Sequence, residues 1–342
     1  MLSHSFFHWN TARRPIVALA PMAGVTDASY RRLIKMLAPS ALVYSEFLST
    51  DALHYGAKKT MQMMHFDPAF ERPFIVQVFG KDPAHFLTAA KVVEQMGADG
   101  IDINMGCPAA RVVSSCHGSA LIRNADLAAS LVASVKKTVS IPVSVKTRLG
   151  WDSAETLIPF CSRLVEAGAD ALAVHGRRFI DHFKGKADWE PIYALKRALP
   201  EMTIIGNGDI KSAADAAAKI GNLDGVMVGR GTFGNPWLLG DICRCFSRTE
   251  QAESGERIAV STSCEVPTVE KLELAEKIPV ILEHCRLAVK VKGEKRGMLE
   301  MRRHLANYVK GFSGAADLRA KLVRVKSVRA VEDILSHAKV DC

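Results

Sequence analysis

The clearest structural signal in this chain is the stretch Gly100-Ile101-Asp102-Ile103-Asn104-Met105-Gly106-Cys107-Pro108. Residues 100–103 form a short apolar run that predicts a buried β-strand, and the residues after them predict a loop. A cysteine in a loop directly after such a strand is usually reactive rather than structural, so Cys107 is a candidate functional residue. The same order of apolar strand, loop and amphipathic helix recurs along the chain.

This unit of strand, loop and helix occurs eight times. The predicted strands are 16–19, 42–45, 74–78, 100–103, 143–146, 171–175, 203–207 and 225–228. The predicted helices between them include 84–96, 127–137, 156–167 and 213–220. Most strands are continuous apolar runs, as expected for a parallel sheet that is covered on both faces. Eight units predict an α/β fold of the (β/α)8 TIM-barrel type, with its functional groups at the carboxyl ends of the strands. A doubly wound sheet is the alternative, but it usually has fewer strands.

The composition is typical of a globular enzyme rather than of a membrane or metal-binding protein. The chain has 342 residues, of which 48% are apolar and 24% charged, enough for one large domain and one small one. Its apolar runs are shorter than the ~18 residues of a membrane span, and residues 1–10 lack the features of a signal peptide, so a cytoplasmic location is expected. The eight cysteines lack the spacing of a zinc site, and no metal is expected.

The pattern changes after the eighth strand. We predict a barrel domain at 1–246, a polar linker or surface excursion at 247–267, and a basic helical domain at 268–342. Residues 286–329 contain thirteen Lys or Arg residues and three acidic ones, a local net charge of +10 against +9 for the whole chain. Such a run can be a solvated helix face, but its weak balance by acids favours a polyphosphate partner. A membrane surface is less favoured, because Tyr308 and Phe312 make no bulky apolar face.

A set of residues lies at or just after the carboxyl ends of the predicted strands and would face one mouth of the barrel. They are Pro21, Met22, Ala23, Glu46, Gln77, Cys107, Lys146, His175, Asn207, Gly208, Asp209, Gly229 and Arg230. Glycine-rich turns after the last two strands predict a phosphate site, to which Arg230 adds a cation. Lys146 ends an apolar strand, so it is expected to face a ligand anion, or alternatively to pair with Glu46.

Three of these positions have more than one interpretation. His175 is equally suited to ligand contact and to holding a backbone carbonyl in the core. Gln77 could pack against a loop backbone or present its amide to a planar heterocycle. Cys107 could be a small apolar filler. A thiol of ordinary pKa, near ~8.5, is mostly protonated at neutral pH, and the lack of an adjacent base favours a proton donor over a nucleophile.

Taken together, these residues closely resemble the dihydrouridine synthases, flavin enzymes that reduce particular uridines in tRNA. The shared motifs are Ala-Leu-Ala-Pro-Met-Ala-Gly-Val-Thr-Asp at 18–27, Asn-Met-Gly-Cys-Pro at 104–108, Val-Lys-Thr-Arg-Leu-Gly at 145–150, Val-His-Gly-Arg at 174–177, Gly-Lys-Ala-Asp-Trp at 185–189, Asn-Gly-Asp at 207–209 and Gly-Arg-Gly at 229–231. They occur in order along the whole barrel, and the pattern is most similar to the bacterial DusB branch. The family architecture, an FMN barrel followed by a small helical tRNA-binding domain, matches the predicted division of the chain.

The resemblance implies a role for each of these positions. It assigns the flavin to Pro21, Met22, Ala23, Gln77, Lys146 and His175, and the flavin phosphate to Asn207, Gly208, Asp209, Gly229 and Arg230. It implies that NADPH or NADH reduces FMN, that hydride passes from flavin N5 to C6 of an extruded D-loop uracil, and that Cys107 protonates C5. Asn104 and Arg177 are assigned to the substrate. Beyond tRNA, no stable protein partner is expected.

Two segments depart from the family pattern, and two other classes of protein compete with this interpretation. Residues 178–184 and 114–118 differ from the usual family residues, so no substrate specificity is transferred through them. Dihydroorotate dehydrogenases and ene-reductases also hold FMN in such barrels, but they lack an appended basic helical domain. A non-catalytic RNA-binding protein would bind RNA without holding a flavin.

Overall fold

The computed structural model describes residues 7–252 and 272–338, and its centre is a closed parallel β-barrel. The strands are β1 (Ile16–Leu19), β2 (Leu42–Tyr44), β3 (Leu48–Ser49), β4 (Phe74–Phe79), β5 (Gly100–Met105), β6 (Val143–Arg148), β7 (Ala171–His175), β8 (Thr203–Asn207) and β9 (Gly225–Val228). Strand β1 pairs with both β2 and β9, and β2 pairs with β4, so the sheet has no open edge; β3 is a short strand beside the end of β4. The predicted (β/α)8 barrel is confirmed, and closure of the sheet rules out the doubly wound alternative.

Helices connect the strands around the outside of the barrel. They are α1 (Ala28–Leu37), α2 (Thr50–His54), α3 (Lys58–Met63), α4 (Pro83–Gln95), α5 (Ala110–Val113), α6 (Ala125–Lys136), α7 (Leu157–Glu166), α8 (Glu190–Ala198), α9 (Ala213–Ile220) and α10 (Leu238–Ala252). Local capping explains where several begin. The Asp27 carboxylate accepts a hydrogen bond from the Tyr30 amide at 2.9 Å, and the Ser212 hydroxyl accepts one from the Asp215 amide at 3.0 Å.

Alternation along the strands separates the barrel interior from the outer core. Outward-facing residues such as Val17 and Leu19 pack against the helices in the main apolar core. Inward-facing residues near the amino ends, among them Ala18 and Ala173, form a separate apolar cluster that includes Trp9. Toward the carboxyl ends, the inward positions of β5 and β6 become polar, and this change creates a polar floor beneath the barrel mouth.

Strands β5 and β6 extend further than predicted. Asn104 pairs with Lys146, and β6 continues to Arg148. Lys146 is therefore not the last residue of its strand, contrary to the sequence-based assignment. The bounds were underestimated because the polar residues at 104 and 148 were interpreted as loop, whereas they face the barrel mouth while their backbone continues the sheet.

The described carboxyl-terminal residues, 272–338, form four helices with an apolar core of their own. These are α11 (Leu274–Lys292), α12 (Glu294–Tyr308), α13 (Ala315–Leu322) and α14 (Val328–Ser336), and their shared core includes Ile281, Met298, Leu305 and Val331. Of the predicted linker at 247–267, residues 247–252 belong to α10 and residues 253–267 lie outside the described residues. Within the ranges that the structure describes, no helix is long and apolar enough to cross a membrane.

Candidate active site

A cavity of about 700 Å³ opens at the carboxyl ends of the barrel strands, a size typical of small-molecule and cofactor sites. It brings together every residue to which the sequence assigned a role in cofactor binding, substrate binding or catalysis. These are Pro21, Met22, Ala23, Gln77, Asn104, Cys107, Lys146, His175, Arg177, Asn207, Gly208, Asp209, Gly229 and Arg230. Residues from loops far apart in sequence thus share one space.

The cavity wall carries an excess of positive charge. Its cationic side chains are Lys146, Arg148, Arg177, Lys211 and Arg230, and Asp209 is the single carboxylate among the described residues that line it. That carboxylate is already paired, because Nη2 of Arg177 donates to its two oxygens at 2.8 and 2.6 Å. Nη2 of Arg230 also lies 3.9 Å from Oδ1 of Asp209, so one carboxylate faces five cations, and an anionic ligand would relieve the repulsion between them.

Lys146 is the most buried of the lysines in this wall. Its Nζ donates to Oδ1 of Asn207 at 3.2 Å, and the Asn207 amide in turn donates to the Met227 carbonyl at 2.7 Å. Burial, with the charge of Arg148 as the next contribution, lowers the pKa of Lys146 to about 8. The alternative pairing with Glu46 is not found among the described contacts; the Glu46 carboxylate accepts a hydrogen bond from the Gly24 amide instead.

His175 and Arg177 form a rigid pair at the end of β7. Burial, reinforced by Lys146 and Arg148, lowers the pKa of His175 to about 2, so its ring is neutral. Arg177 can only donate, so the 3.2 Å contact from its Nη1 makes Nε2 of His175 the acceptor and leaves the ring proton on Nδ1. Arg177 is 3% exposed and also donates to the carbonyls of Lys184 and Gly185. It orders this loop, and its contact with a substrate stays a prediction.

The loop after β8 has a backbone that only glycine permits at position 208. Gly208 has φ +131°, and a Cβ there would lie 2.6 Å from Cβ of Ala187 and 3.2 Å from Cδ2 of His175. The indole of Trp189 donates to the Gly208 carbonyl at 3.2 Å and holds the loop in place. The turn therefore lies directly against the barrel mouth, where its backbone can approach a ligand.

Cys107 is half-buried in the cavity wall, in a loop that Asn104 organises. Oδ1 of Asn104 accepts hydrogen bonds from the amides of Gly106 at 3.1 Å and Cys107 at 2.9 Å. Burial raises the pKa of the Cys107 thiol, an effect opposed by a backbone hydrogen bond and the charges of Arg148 and Lys146. The thiol is thus protonated at neutral pH, as a proton donor requires.

Arg148 is a site residue that the sequence-based assignment missed. It is 2% exposed and lines the cavity. Its Nε donates to the Gly106 carbonyl at 2.7 Å, and its Nη1 donates to the carbonyls of His182 at 2.7 Å and Arg178 at 3.2 Å. Strand alternation was the available signal, because residues 146 and 148 must share a face if the strand continues past 146.

Phe183 was also missed, and it belongs to the segment 178–184 that departs from the family pattern. Its ring lines the cavity and is 51% exposed. The guanidinium groups of Arg230 and Arg148 lie 4.7 and 5.2 Å from its centroid. This divergent loop thus contributes an aromatic wall to the cavity, stabilised by cation–π contacts.

A parallel (β/α)8 barrel with a cation-lined cavity, glycine-rich loops after its last two strands and a protonated thiol at its mouth defines a barrel enzyme whose cavity is suited to an anionic ligand. The family model described as dihydrouridine synthase (Dus) matches residues 18–341, and the chain belongs to this family.

Individual proteins with a similar sequence carry names from the same family. The chain is 38% identical over 325 residues to a probable tRNA-dihydrouridine synthase 1 of Synechocystis sp., covering 94% of this chain and 86% of that protein. It is 36% identical over 320 residues to tRNA-dihydrouridine synthase B of Xanthomonas campestris, covering 92% and 90% respectively. A solved structure of a mandelate oxidase mutant with the C4a-OH-FMN adduct aligns with a TM-score of 0.47 and 17% identity over 67% of this chain and 73% of that chain, a likeness too low to bear on function.

Proposed function

We propose that this enzyme is a flavin-dependent tRNA-dihydrouridine synthase that uses NADPH or NADH to reduce the C5–C6 double bond of D-loop uridines in the cytoplasm. The observation that carries the proposal is the single cavity that holds both a protonated thiol, Cys107, and a wall of cations suited to a flavin phosphate. Family membership supports the same reaction class.

The residues present fit FMN. The loops of Asn207-Gly208-Asp209 and Gly229-Arg230 would hold the phosphate. Arg230 would supply the cation, and the glycine-rich backbone could approach the phosphate closely with its N–H groups. Gly208 and Gly229 line the same cavity, and a Cβ at Gly208 would lie only 2.6 Å from Cβ of Ala187, so the turn after β8 needs glycine to keep its backbone close to a ligand. Pro21, Met22, Ala23, Gln77, Lys146 and His175 would surround the flavin ring.

When bound, FMN would supply the hydride that C6 of uracil accepts, after NADPH or NADH has reduced it. The chain's own residues provide the rest of the reaction. Lys146, once an anion lies beside it, would hold a positive charge next to the reduced ring. Cys107 would donate its proton to C5 and become a thiolate, which solvent would then reprotonate. One hydrogen of the Asn104 side-chain amide is not used by its Gln77 contact and is available for an edge oxygen of uracil.

We further propose that the chain divides into a barrel at 1–246, a linker or surface excursion at 247–267, of which residues 247–252 continue helix α10, and a tRNA-binding helical domain at 268–342. Helices α11 to α14 have their own apolar core. The exposed basic residues on the described part of this domain are Arg286, Lys290, Lys295, Arg296, Arg303, Lys310, Lys321, Arg324, Lys326 and Arg329. A surface of this kind would bind the phosphate backbone of tRNA while the target base is extruded into the cavity.

The test is position-resolved measurement of dihydrouridine in tRNA that lacks the modification, after incubation with FMN-loaded protein and NADPH. The wild type is expected to form dihydrouridine, and Cys107→Ala to lose about 10²- to 10⁴-fold in rate, the range of general acid catalysis. Cys116→Ala is the matched control, because Cys116 is an exposed thiol of the following loop that does not line the cavity.

The outcomes separate the competing classes. A wild-type protein that binds a reducible flavin but leaves tRNA unmodified would act on a small pyrimidine or enone substrate instead. A protein that binds tRNA but cannot be loaded with FMN would be a non-catalytic RNA-binding protein.

A further inference from the structure

Asp102 is a fully buried carboxylate inside the barrel, below the cavity. Its Oδ1 accepts a hydrogen bond from the Ser144 hydroxyl at 2.6 Å, and its Oδ2 accepts one from Nε2 of Gln77, also at 2.6 Å. Among the ion pairs of the described residues, none includes Asp102. Burial of an unpaired carboxylate reduces stability, and neither the apolar core nor the proposed proton transfer uses it directly.

A continuous chain of hydrogen bonds leads from this carboxylate to the loop of the thiol. Nδ2 of Asn104 donates to Oε1 of Gln77 at 2.8 Å. Oδ1 of Asn104 then accepts the amide hydrogens of Gly106 and Cys107 at 3.1 and 2.9 Å. Three hydrogen bonds in series thus join Asp102 to the backbone of Cys107, and a fourth joins Asn104 to the backbone of Gly106.

The groups at the two ends of this series of hydrogen bonds determine which atom donates and which accepts in every bond. At the inner end a carboxylate can only accept, so Gln77 must turn its nitrogen toward Asp102. At the outer end the backbone amides of Gly106 and Cys107 can only donate, so Asn104 must turn its oxygen toward them. Both constraints demand the same orientation of the two side-chain amides, which are otherwise free to flip.

The barrel register explains why these residues meet. Gln77, Asp102 and Ser144 are neighbours at one level of strands β4, β5 and β6. Asn104 lies two residues beyond Asp102 on β5, so both side chains face the interior and Asn104 stands one level nearer the mouth.

We propose that Asp102 is a positioning residue for uridine reduction. Through Gln77 and Asn104 it fixes the backbone of Gly106 and Cys107, and with it the place from which the thiol delivers its proton. This inference rests on the proposed function.

The experiment compares wild type, Asp102→Ala and Asp102→Asn, each loaded with FMN and reduced anaerobically, in a single turnover with saturating unmodified tRNA. Flavin reoxidation and dihydrouridine formation are followed together. Asp102→Ala is expected to be slower by about 10²-fold, the cost of a small misplacement of a reacting group, while its FMN content, its rate of reduction by NADPH and its Kd for tRNA stay at the wild-type values.

The conservative variant provides the rescue. Asn at position 102 can present its oxygen to Gln77 and donate its amide to the Ser144 hydroxyl, which can also accept. Asp102→Asn is therefore expected to stay within about tenfold of wild type, the effect of one altered hydrogen bond. Ser144→Ala is the matched control, since it removes a partner of Asp102 on the side away from Gln77. Its rate is also expected to stay within about tenfold of the wild-type rate.

Several results would overturn the inference. One is an Asp102→Ala protein that turns over at the wild-type rate; another is an Asp102→Asn protein as slow as the alanine variant. Parallel losses of FMN, tRNA affinity and rate would indicate a merely structural role. Should Asp102→Ala lose its fold, Asp102→Leu fills the volume and takes its place, and Asp102→Asn still decides the hydrogen-bond prediction. A wild-type protein that forms no dihydrouridine would instead refute the proposed function.

Discussion

At the scale of single residues, Lys146 shows how the cavity is matched to an anion. Its buried amine faces an amide oxygen of Asn207 at 3.2 Å rather than a carboxylate. Burial then lowers its pKa to about 8, so the charged form is only moderately favoured at neutral pH. A bound anion beside Nζ would restore the preference for the charged form, and ligand binding and protonation at this site should be coupled.

We therefore expect the affinity for FMN to fall as the pH rises from about 7 to about 9.5. The free protein loses the Lys146 proton near pH 8, and binding above that pH must include the cost of recovering it. Lys146→Met should bind FMN more weakly at pH 7 and lose this part of the pH dependence. Titration of flavin fluorescence at a series of pH values measures both effects.

Lys211→Met is the control for this experiment. Lys211 lines the same cavity but is exposed, so its replacement should leave the pH dependence in place. If the affinity of Lys146→Met for FMN depended on pH as in the wild type, a group other than Lys146 would be responsible.

At the scale of elements, Arg148 connects three segments that meet at the barrel mouth. It lies at the end of β6, and its guanidinium binds the loop after β5 through Gly106 and the loop after β7 through Arg178 and His182. The loop with the thiol and the divergent loop with Phe183 are thus held by one buried side chain. A planar fork with several donors is needed to reach both loops at once.

Arg148→Lys is expected to slow uridine reduction by roughly 10- to 100-fold, because an ammonium group cannot bind both loops in this geometry. FMN content should change little, since the predicted phosphate loops follow β8 and β9. Steady-state formation of dihydrouridine, with FMN content measured on the same samples, is the assay.

Arg163→Lys serves as the comparison, because Arg163 is exposed on the outer face of α7 and pairs with the exposed Asp126. Equal activity of the Arg148→Lys and Arg163→Lys proteins would show that the connection between the loops has no catalytic role.

At the scale of the whole molecule, the helical domain is anchored directly to the first loop and first helix of the barrel. Lys292 of α11 pairs with Asp27, the N-cap of α1, and with Glu300 of α12. Nη1 of Arg303 donates to the Gly24 carbonyl at 2.9 Å, in the loop that also carries the predicted flavin contacts Met22 and Ala23. The basic helices and the cavity are therefore held in a defined relative position.

The centre of this junction is a buried aromatic cluster that contains two histidines. The rings of His284 and His304 lie 4.6 Å apart, and each is 5.3 Å from the ring of Tyr30 on α1. Burial lowers the pKa of His304 to about 4, and that of His284 well below its usual value. The charged groups that act on His304 are Asp27, Lys292, Glu300 and Arg303.

This cluster predicts a loss of stability in mild acid. The folded-state pKa of His304, about 4, is below the unfolded value of ~6.5, so the unfolded chain binds more protons between these values. The free energy of unfolding should fall by up to about 1.4 kcal/mol per pH unit for each such histidine as the pH drops through this window. Denaturant unfolding at a series of pH values between about 7.5 and 5 measures the slope.

His304→Gln should flatten this pH dependence, whereas replacement of the exposed His65 by Gln should leave it unchanged. Identical slopes in wild type and His304→Gln would exclude this histidine as its source.

The barrel and most of its mouth could be predicted from the sequence alone. The bounds of β1, β7, β8 and β9 match the predicted strands, and the candidate positions at or after the strand ends all meet in one cavity, apart from Glu46. These features depend on local patterns, namely apolar runs, glycine-rich turns and a thiol after a strand, which the chain displays within a few residues.

The hydrogen-bond chain from Asp102, the connection through Arg148 and the buried histidines of the junction were decided only by the tertiary structure. Gln77 and Asp102 are 25 residues apart, Asp102 and Ser144 are 42 apart, and Arg148 and His182 are 34 apart. His284 and His304 meet the ring of Tyr30 from helices α11 and α12, more than 250 residues away along the chain. Which donors face which acceptors, and which groups lose their water, depends on barrel register and domain packing, and no local pattern encodes either.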